Sequence, residues 1–423
     1  LGCVFFAVSA AGLLEIQMRE PFHSLRKFLG CASVLTVFLG TAPVCAQQSG
    51  PPLPYASIGS AGVSYAGAGR ESSHDLAGPV IRIGLLAPLN GPQKADGEPI
   101  VRAARMALQD EEQNPLPGGI RLGLAIGDES GPAWGRVADA VLHLVLNDHA
   151  VAIVTSASGA TAHLSEQVGN KIGIPVLTLS TDATTTQINL PWIFRLGPSD
   201  SQQAQVIARD VYRTRGFRRV LLVTEGDHDG RMGGREFVAA ARRLGMPAPD
   251  SLDINPLRPD AGSLPAAIKA KSPQAIVFWT QPENAGKLLE AMRASGIHAP
   301  VYLSQEAAQA GSGLRLRPQN TTGAKDPSGA GIYTVSLGAA GEAQRESFAR
   351  RYQAATGSLP GPVASEAYDA VRLIARAVRE AGPNRARVRD HLSNTRELAG
   401  VSGMISFDGQ GNNRADVSLV RLQ

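Results

Sequence analysis

Ala275-Ile276-Val277-Phe278-Trp279-Thr280 is an apolar run closed by a single hydroxyl residue. A strand with one wet face alternates apolar and polar residues. An unbroken run of β-branched and aromatic residues marks a strand buried on both faces. An amphipathic stretch follows, Asn284–Ser295, and then a second short run, Pro300–Ser304. Strand, helix and strand at this spacing read as two parallel strands with a helix laid across them.

Working outward, the same grammar repeats from Val80. Further strands are expected at Ile81–Leu89, Ile120–Gly127, Ala150–Thr155, Pro175–Ser180, Arg219–Thr224 and Gly331–Leu337. Amphipathic helices are expected at Pro99–Gln113, Gly135–Asn147, Gln202–Thr214, Gly233–Leu244 and Glu342–Ala355. A longer helix runs from Ser365 to Glu380, with Ala367, Val371, Ile374 and Val378 on one face. The units are too many for one ordinary open sheet. Two α/β lobes are the natural division, and a single barrel is the rival. A barrel would need eight similar units and no late antiparallel piece. Gly403–Asp408 and Asp416–Leu422, flanking Asp408-Gly409-Gln410-Gly411-Asn412-Asn413, read instead as a hairpin around a turn. The turn resembles a calcium loop only in part, because Gln410 stands for an acidic ligand and no Glu closes it.

The chain has 423 residues, 43% hydrophobic and 18% charged, enough apolar material for a packed core. Net charge is +4 with scattered charges, and aromatics are 5%. A nucleic-acid surface wants a basic stripe and stacking aromatics, so that class is set aside. All three cysteines, Cys3, Cys31 and Cys45, fall early, leaving the body without disulfides or thiolate metal sites. From Met18 the sequence reads as an export leader. Arg19, Arg26 and Lys27 precede the apolar run Phe28 to Gly40, and Val44-Cys45-Ala46 offers cleavage after Ala46. Residues 1–46 are therefore expected to be a leader delivering the chain to the periplasm, in preference to a lipid or membrane anchor. Residues 47–79, rich in Gly, Ala, Ser and Pro, are expected to be a flexible linker.

Ile81-Arg-Ile-Gly-Leu-Leu-Ala-Pro-Leu-Asn-Gly-Pro92, followed by Gly97, resembles the opening of type I periplasmic solute-binding proteins, the leucine/isoleucine/valine-binding group in particular. The likeness continues in order through Ser158-Gly159-Ala160-Thr161, Gly173–Ser180, Phe194–Asp200, Arg219–Glu225, Pro360-Gly361-Pro362 with Ala367–Val371, and Gly403–Asp408. It covers nearly all of the chain after the linker. The resemblance implies two Rossmann-like lobes with parallel sheets, a Venus-flytrap, joined by three crossovers near 197–201, 330–338 and 399–405. Lobe one would be 80–198 plus 336–400, and lobe two 199–335 plus 401–423. It also implies capture of an amino acid or amide-like small molecule for the membrane permease of an ABC transporter, by a monomer. A ligand-sensing or degenerate interaction module of the same fold is the alternative.

Ligands of open α/β sheets sit beyond the carboxyl ends of the strands. Ser156, Ser158, Gly159 and Thr161 follow one such strand and open a helix, where hydroxyls and free amides hold an anion. Ser158 also suits a helix cap. By resemblance, this loop grips an amino-acid carboxylate. Ser180 and Thr184 follow the next strand, and the resemblance gives Thr184 a share of the carboxylate and amino groups, with a turn or cap as the plain alternative. Glu306, after Pro300–Ser304, falls where the resembled proteins carry a Glu that pairs with the ligand ammonium. Asp96 and Asp229 stand before Gly97 and Gly230, where that group often has an aromatic wall. Acidic groups there favour a polar or cationic ligand, although Asp-Gly is also simply a turn pair. Trp134 is a candidate replacement wall or a core residue.

Catalysis has no foothold in the sequence. Gly-x-Ser-x-Gly, His-Glu-x-x-His, phosphate-loop and paired-Cys patterns are missing. Asp227-His228-Asp229 is the one dense cluster of metal-ligating type, and no third element stands at a fixed spacing. No cofactor or metal is expected. Asn320-Thr321-Thr322 matches a glycosylation triplet of a kind frequent by chance.

Overall fold

The structure, a computed structural model, describes residues 76–131, 133–187, 192–254, 263–309, 318–319, 331–338 and 341–422. The expected leader, most of the linker and the Asn320-Thr321-Thr322 triplet lie outside them.

The first sheet has the order β2 (Arg121–Asp128), β1 (Val80–Ala87), β3 (Ile153–Val154), β4 (Val176–Thr178), β5 (Ile193–Arg195), and every pairing is parallel. One face of β1, Ile81, Ile83, Leu85 and Ala87, packs under α1 (Lys94–Glu112) and α9 (Pro362–Ala381). Leu86, on the opposite face, packs with Val137 and Val141 of α2 (Ala133–Leu146) and Leu164 of α3 (Gly159–Ile172).

The second sheet runs β10 (Pro318–Gln319), β14 (Val417–Leu422), β11 (Ile332–Leu337), β9 (Val301–Leu303), β8 (Ala275–Trp279), β6 (Val220–Glu225), β7 (Asp250–Ile254). It is parallel from β11 to β7, and β14 is antiparallel to both neighbours. The unbroken run in β8 divides cleanly. Ala275, Val277 and Trp279 join a core with Ile207 of α4 (Asp200–Ala208) and Phe237 of α5 (His228–Arg243). Ile276 and Phe278 join the other core, with Leu288 and Leu289 of α7 (Pro282–Ala294). Both faces are covered, which is why the strand has no polar alternation.

Two parallel-sheet α/β lobes result, and the barrel reading falls. The chain leaves the first sheet after β5. It returns after β11, where Phe348 and Tyr352 of α8 (Glu342–Thr356) enter the first core, and rejoins the second sheet at β14.

Several elements differ from expectation. The C-terminal turn is present, with Asp408 Oδ1 accepting the Gln410 and Asn412 N–H groups, each at 2.8 Å. Phe407 and Asn413 form an antiparallel bridge across it, with the Arg414 N–H donating to the Ser406 carbonyl at 2.8 Å, but the strands beyond part company. β13 (Met404–Ile405) pairs with β12 (Leu398–Ala399), while β14 goes to the other sheet. Val401, Ile405 and Phe407 pack in the first core. Leu76, inside the expected linker, is buried in that core as well. Helix α1 starts five residues before Pro99, which sits inside it. β5, apolar but three residues long, was too short to be read, and β7, α6 (Leu264–Lys271) and α10 (Arg385–Ser393) lacked a strong enough apolar pattern. Among the described residues, no helix is long and apolar enough to cross a membrane.

Candidate functional site

The carboxyl ends of β1, β2 and β3 in the first lobe and of β6, β8 and β9 in the second open on one cleft of about 280 Å³. From the first lobe it is lined by Asp96, Glu129, Ser156, Ser158 and Thr161. The second lobe contributes Asp227, His228, Asp229, Gln281, Glu306 and Gln309.

On the first lobe the lining follows from helix capping. Ser158 has extended backbone, and its Oγ accepts the Thr161 N–H at 3.3 Å. Ser156 Oγ accepts the Ser158 N–H at 3.2 Å. The first free amide of α3, Gly159 N–H, points across the cleft and donates to Asp229 of α5. A side chain at 159 would meet Asp229 Oδ1 at 2.3 Å and Asp182 Oδ2 at 2.9 Å, so only glycine allows this approach.

The loop after β4 turns inward on itself. Ser180 Oγ accepts the Asp182 N–H at 3.2 Å, and Asp182 Oδ1 accepts both the N–H and the hydroxyl of Thr184, at 2.9 and 2.7 Å. Ser180 and Thr184 are not among the residues lining the cleft; the Thr184 hydroxyl also meets His163 Nε2 at 2.9 Å. The loop is clamped from below by Arg195, which is fully buried. Its guanidinium donates to the Asp182 carbonyl at 2.6 Å and to Asn412 Oδ1 at 3.0 Å.

On the second lobe Asp227 caps α5, accepting the Gly230 N–H at 2.8 Å, and Gln281 Nε2 donates to its other oxygen at 3.1 Å. His228 then donates from Nε2 to Asp182 Oδ2 at 2.7 Å, a second bridge between lobes. Trp134 lies in the first turn of α2, and its side chain is outside the described residues.

The lining holds five carboxyl groups, Asp96, Glu129, Asp227, Asp229 and Glu306, and no Lys or Arg among the described residues. Burial pushes Glu129 up to about 7, against the hydroxyls of Ser156 and Thr161. Asp229 rises to about 7 through burial and the nearby Asp227. Burial and the Glu283 charge raise Asp96 to about 6. Glu306 is driven well above the carboxylate range by burial and by Asp229 and Asp227. Each shift has the same sense: burial and neighbouring carboxyls favour the protonated, neutral forms, and a cation entering the cleft would reverse this by favouring ionisation of several groups at once.

Sequence reasoning brought Ser156, Ser158, Thr161, Asp96, Asp229 and Glu306 to this cleft, with Gly159 at its edge. It missed Glu129, Gln281, Gln309, His163 and Asp182. Asp182 did carry a signal, as an Asp inside Ser180-Thr181-Asp182-Ala183-Thr184 directly after a strand.

Two α/β lobes with a polar cleft at their strand ends define a two-lobed binding protein. The chain belongs to the periplasmic binding protein family, whose model matches residues 80–423. This is a family of binding proteins, not of enzymes. Leu/Ile/Val-binding protein homolog 3 of Brucella melitensis is 24% identical over 224 residues, 52% of this chain and 60% of that protein. The Leu/Ile/Val-binding protein BraC3 of Rhizobium johnstonii is 25% identical over 209 residues, 49% and 56% of the two chains. The matched stretch thus spans less than two thirds of these relatives. Among solved structures, the isoleucine complex of the branched-chain amino acid transporter substrate-binding protein LivJ from Streptococcus pneumoniae superposes with a TM-score of 0.67 at 21% identity, covering 81% of this chain and 99% of that one. A solute-binding protein from R. palustris in complex with benzoate gives 0.69 at 19% identity, covering 81% and 93%.

Proposed function

We propose that the chain is the extracytoplasmic solute-binding component of an ABC transporter, capturing an amino acid or similar small polar ligand by hinge closure and presenting it to a membrane permease from the periplasm. The supporting observation is the cleft itself, lined from one lobe by Ser156, Ser158 and Thr161 and from the other by Asp229 and Glu306. A ligand touching both lobes binds the closed arrangement better and shifts the population towards it. The lobe limits drawn from the sequence belong to the same proposal.

The charge of the cleft narrows the ligand to one carrying an ammonium or several N–H donors, with Glu306 and Asp96 as its counter-charges. An aromatic acid of the benzoate kind would face five carboxyl groups with no Lys or Arg among the described lining residues. The test is thermal unfolding of the full chain against amino acids, amides, amines and aromatic acids. A ligand at about 100 times its dissociation constant adds roughly 2.7 kcal/mol to the folded state. The expected result is a shift with amine-bearing solutes that shrinks in Glu306→Gln. A shift with aromatic acids alone would overturn the ligand class, and no shift with any solute would overturn capture.

A further inference from the structure

Beside the cleft, three side chains from three elements turn towards one point. His163 comes from α3, Asp182 from the loop after β4, and His228 from the first turn of α5. The Nε2 atoms of both histidines address the same oxygen, Asp182 Oδ2, at 3.2 and 2.7 Å. All three ligand-type atoms lie within 4.8 Å of one another. We propose that His163, Asp182 and His228 form a binding site for a divalent transition-metal ion of the zinc class, joining the two lobes.

The donor set fits that ion. Two imidazole nitrogens and one carboxylate oxygen suit Zn2+, Ni2+ or Co2+ rather than Mg2+ or Ca2+, which prefer all-oxygen shells. Bonds of about 2.0–2.1 Å in a tetrahedron place ligand atoms roughly 3.3 Å apart, and the two imidazole nitrogens lie 3.2 and 2.7 Å from Asp182 Oδ2 and within 4.8 Å of each other, so small side-chain shifts would seat the ion. The ligands are held in place without the ion. Arg195 and Thr184 fix the Asp182 loop, as described above. Behind His163, Glu166 Oε2 lies 3.5 Å from Nδ1. Glu166 is 1% exposed, and neither of its oxygens has a hydrogen bond. A carboxylate behind the far ring nitrogen is the usual outer-shell partner of a metal-binding histidine, orienting the ring and raising its basicity. This explains a buried acid that the ligand cleft does not use.

Because His228 also lines the cleft, the site adjoins the space that solute and water enter. The ion would also couple to closure, since it needs His228 from one lobe and His163 and Asp182 from the other. The site stands independently of the ligand class proposed above.

The experiment uses the full chain, stripped with a chelator and free of organic ligand. ZnCl2 is titrated in calorimetry and thermal unfolding, with MgCl2 as control. The expected result is one Zn2+ per chain, a melting temperature raised by several degrees, and no Mg2+ response. His228→Gln and His163→Gln should each weaken Zn2+ binding at least tenfold. Co2+ should give a visible absorption band in the parent chain and not in His228→Gln. Absence of any Zn2+ response would leave only a hydrogen-bonded His–Asp–His contact and overturn the proposal. So would a Zn2+ response equal in the parent and both variants, which would place the ion elsewhere.

Discussion

Both oxygens of the Asp229 carboxylate accept the backbone N–H of Gly159, at 3.1 and 3.2 Å, across the cleft between lobes. An acidic side chain of the second lobe thus occupies the helix-end amide at which an anion would otherwise bind. Above about pH 7, where Asp229 is ionised, a charge-assisted bond of this kind contributes about 1.5–3 kcal/mol. Asp229→Ala should therefore move the ligand-free chain roughly tenfold to a hundredfold towards separated lobes. Small-angle scattering would show it as a larger radius of gyration. An unchanged radius would mean that other contacts hold the lobes.

Gly233 lies against Trp279. A Cβ at 233 would fall 1.9 Å from Trp279 Nε1, which donates to Asp200 Oδ1 at 3.1 Å. The indole is 1% exposed and has nowhere to retreat without breaking that bond. Gly233→Ala should cost about 2–4 kcal/mol, combining overpacking with a lost buried hydrogen bond. Urea unfolding checks it, and a cost near zero would contradict the packing described.

Glu366 of α9 accepts a hydrogen bond from Gln305 Nε2, which follows β9 of the other lobe. Burial pushes its carboxyl up to about 8, and the Gln305 bond offsets only part of this. In the unfolded chain the group ionises near the usual Glu value. Between roughly pH 4.5 and 8 the folded state therefore holds a proton that the unfolded state has lost, and stability falls as pH rises. Above about pH 8 both states are ionised and the loss levels off. Glu366→Gln should remove this slope, stabilising the chain by on the order of 3 kcal/mol at pH 7 and by little at pH 4. Melting curves at both pH values decide it; an equal effect at the two would refute the assignment.

Arg195 ties two loops together without reaching solvent. Besides Asp182 and Asn412, it donates to the Thr186 hydroxyl. Burial lowers its pKa to about 10, and the Asp200 charge works the other way. Arg195→Met keeps much of the volume and removes every donor. The expected loss is about 3–5 kcal/mol, as for a buried polar network with one partner removed. A denaturation midpoint within error of the parent would rule that out.

How much of this was legible in sequence depends on range. The β8 run, the α9 stripe and the Ser158 cap are patterns over a few residues, set by periodicity and local hydrogen bonding. β7, with three of its five residues exposed, carried too little apolar pattern to be read. β14 was recognisable as a strand but not its partner, because pairing depends on where the chain has already crossed.

The cleft divides along the same line. Strand-end position made Ser156, Ser158 and Thr161 candidates, since a parallel sheet presents the loops after its strands on one edge, and the family resemblance added Glu306. Asp229 was also singled out, but not its contact with Gly159, 70 residues away. Nor could spacing bring His228 to Asp182, 46 residues apart and on opposite lobes. The sequence by itself determined most of the strands and helices and that both faces of the parallel sheets are covered, because burial of apolar residues at fixed periods is a local property. Only the tertiary structure decided which acids face which amides and imidazoles, because those distances depend on the order of strands in two sheets and on the approach of one lobe to the other.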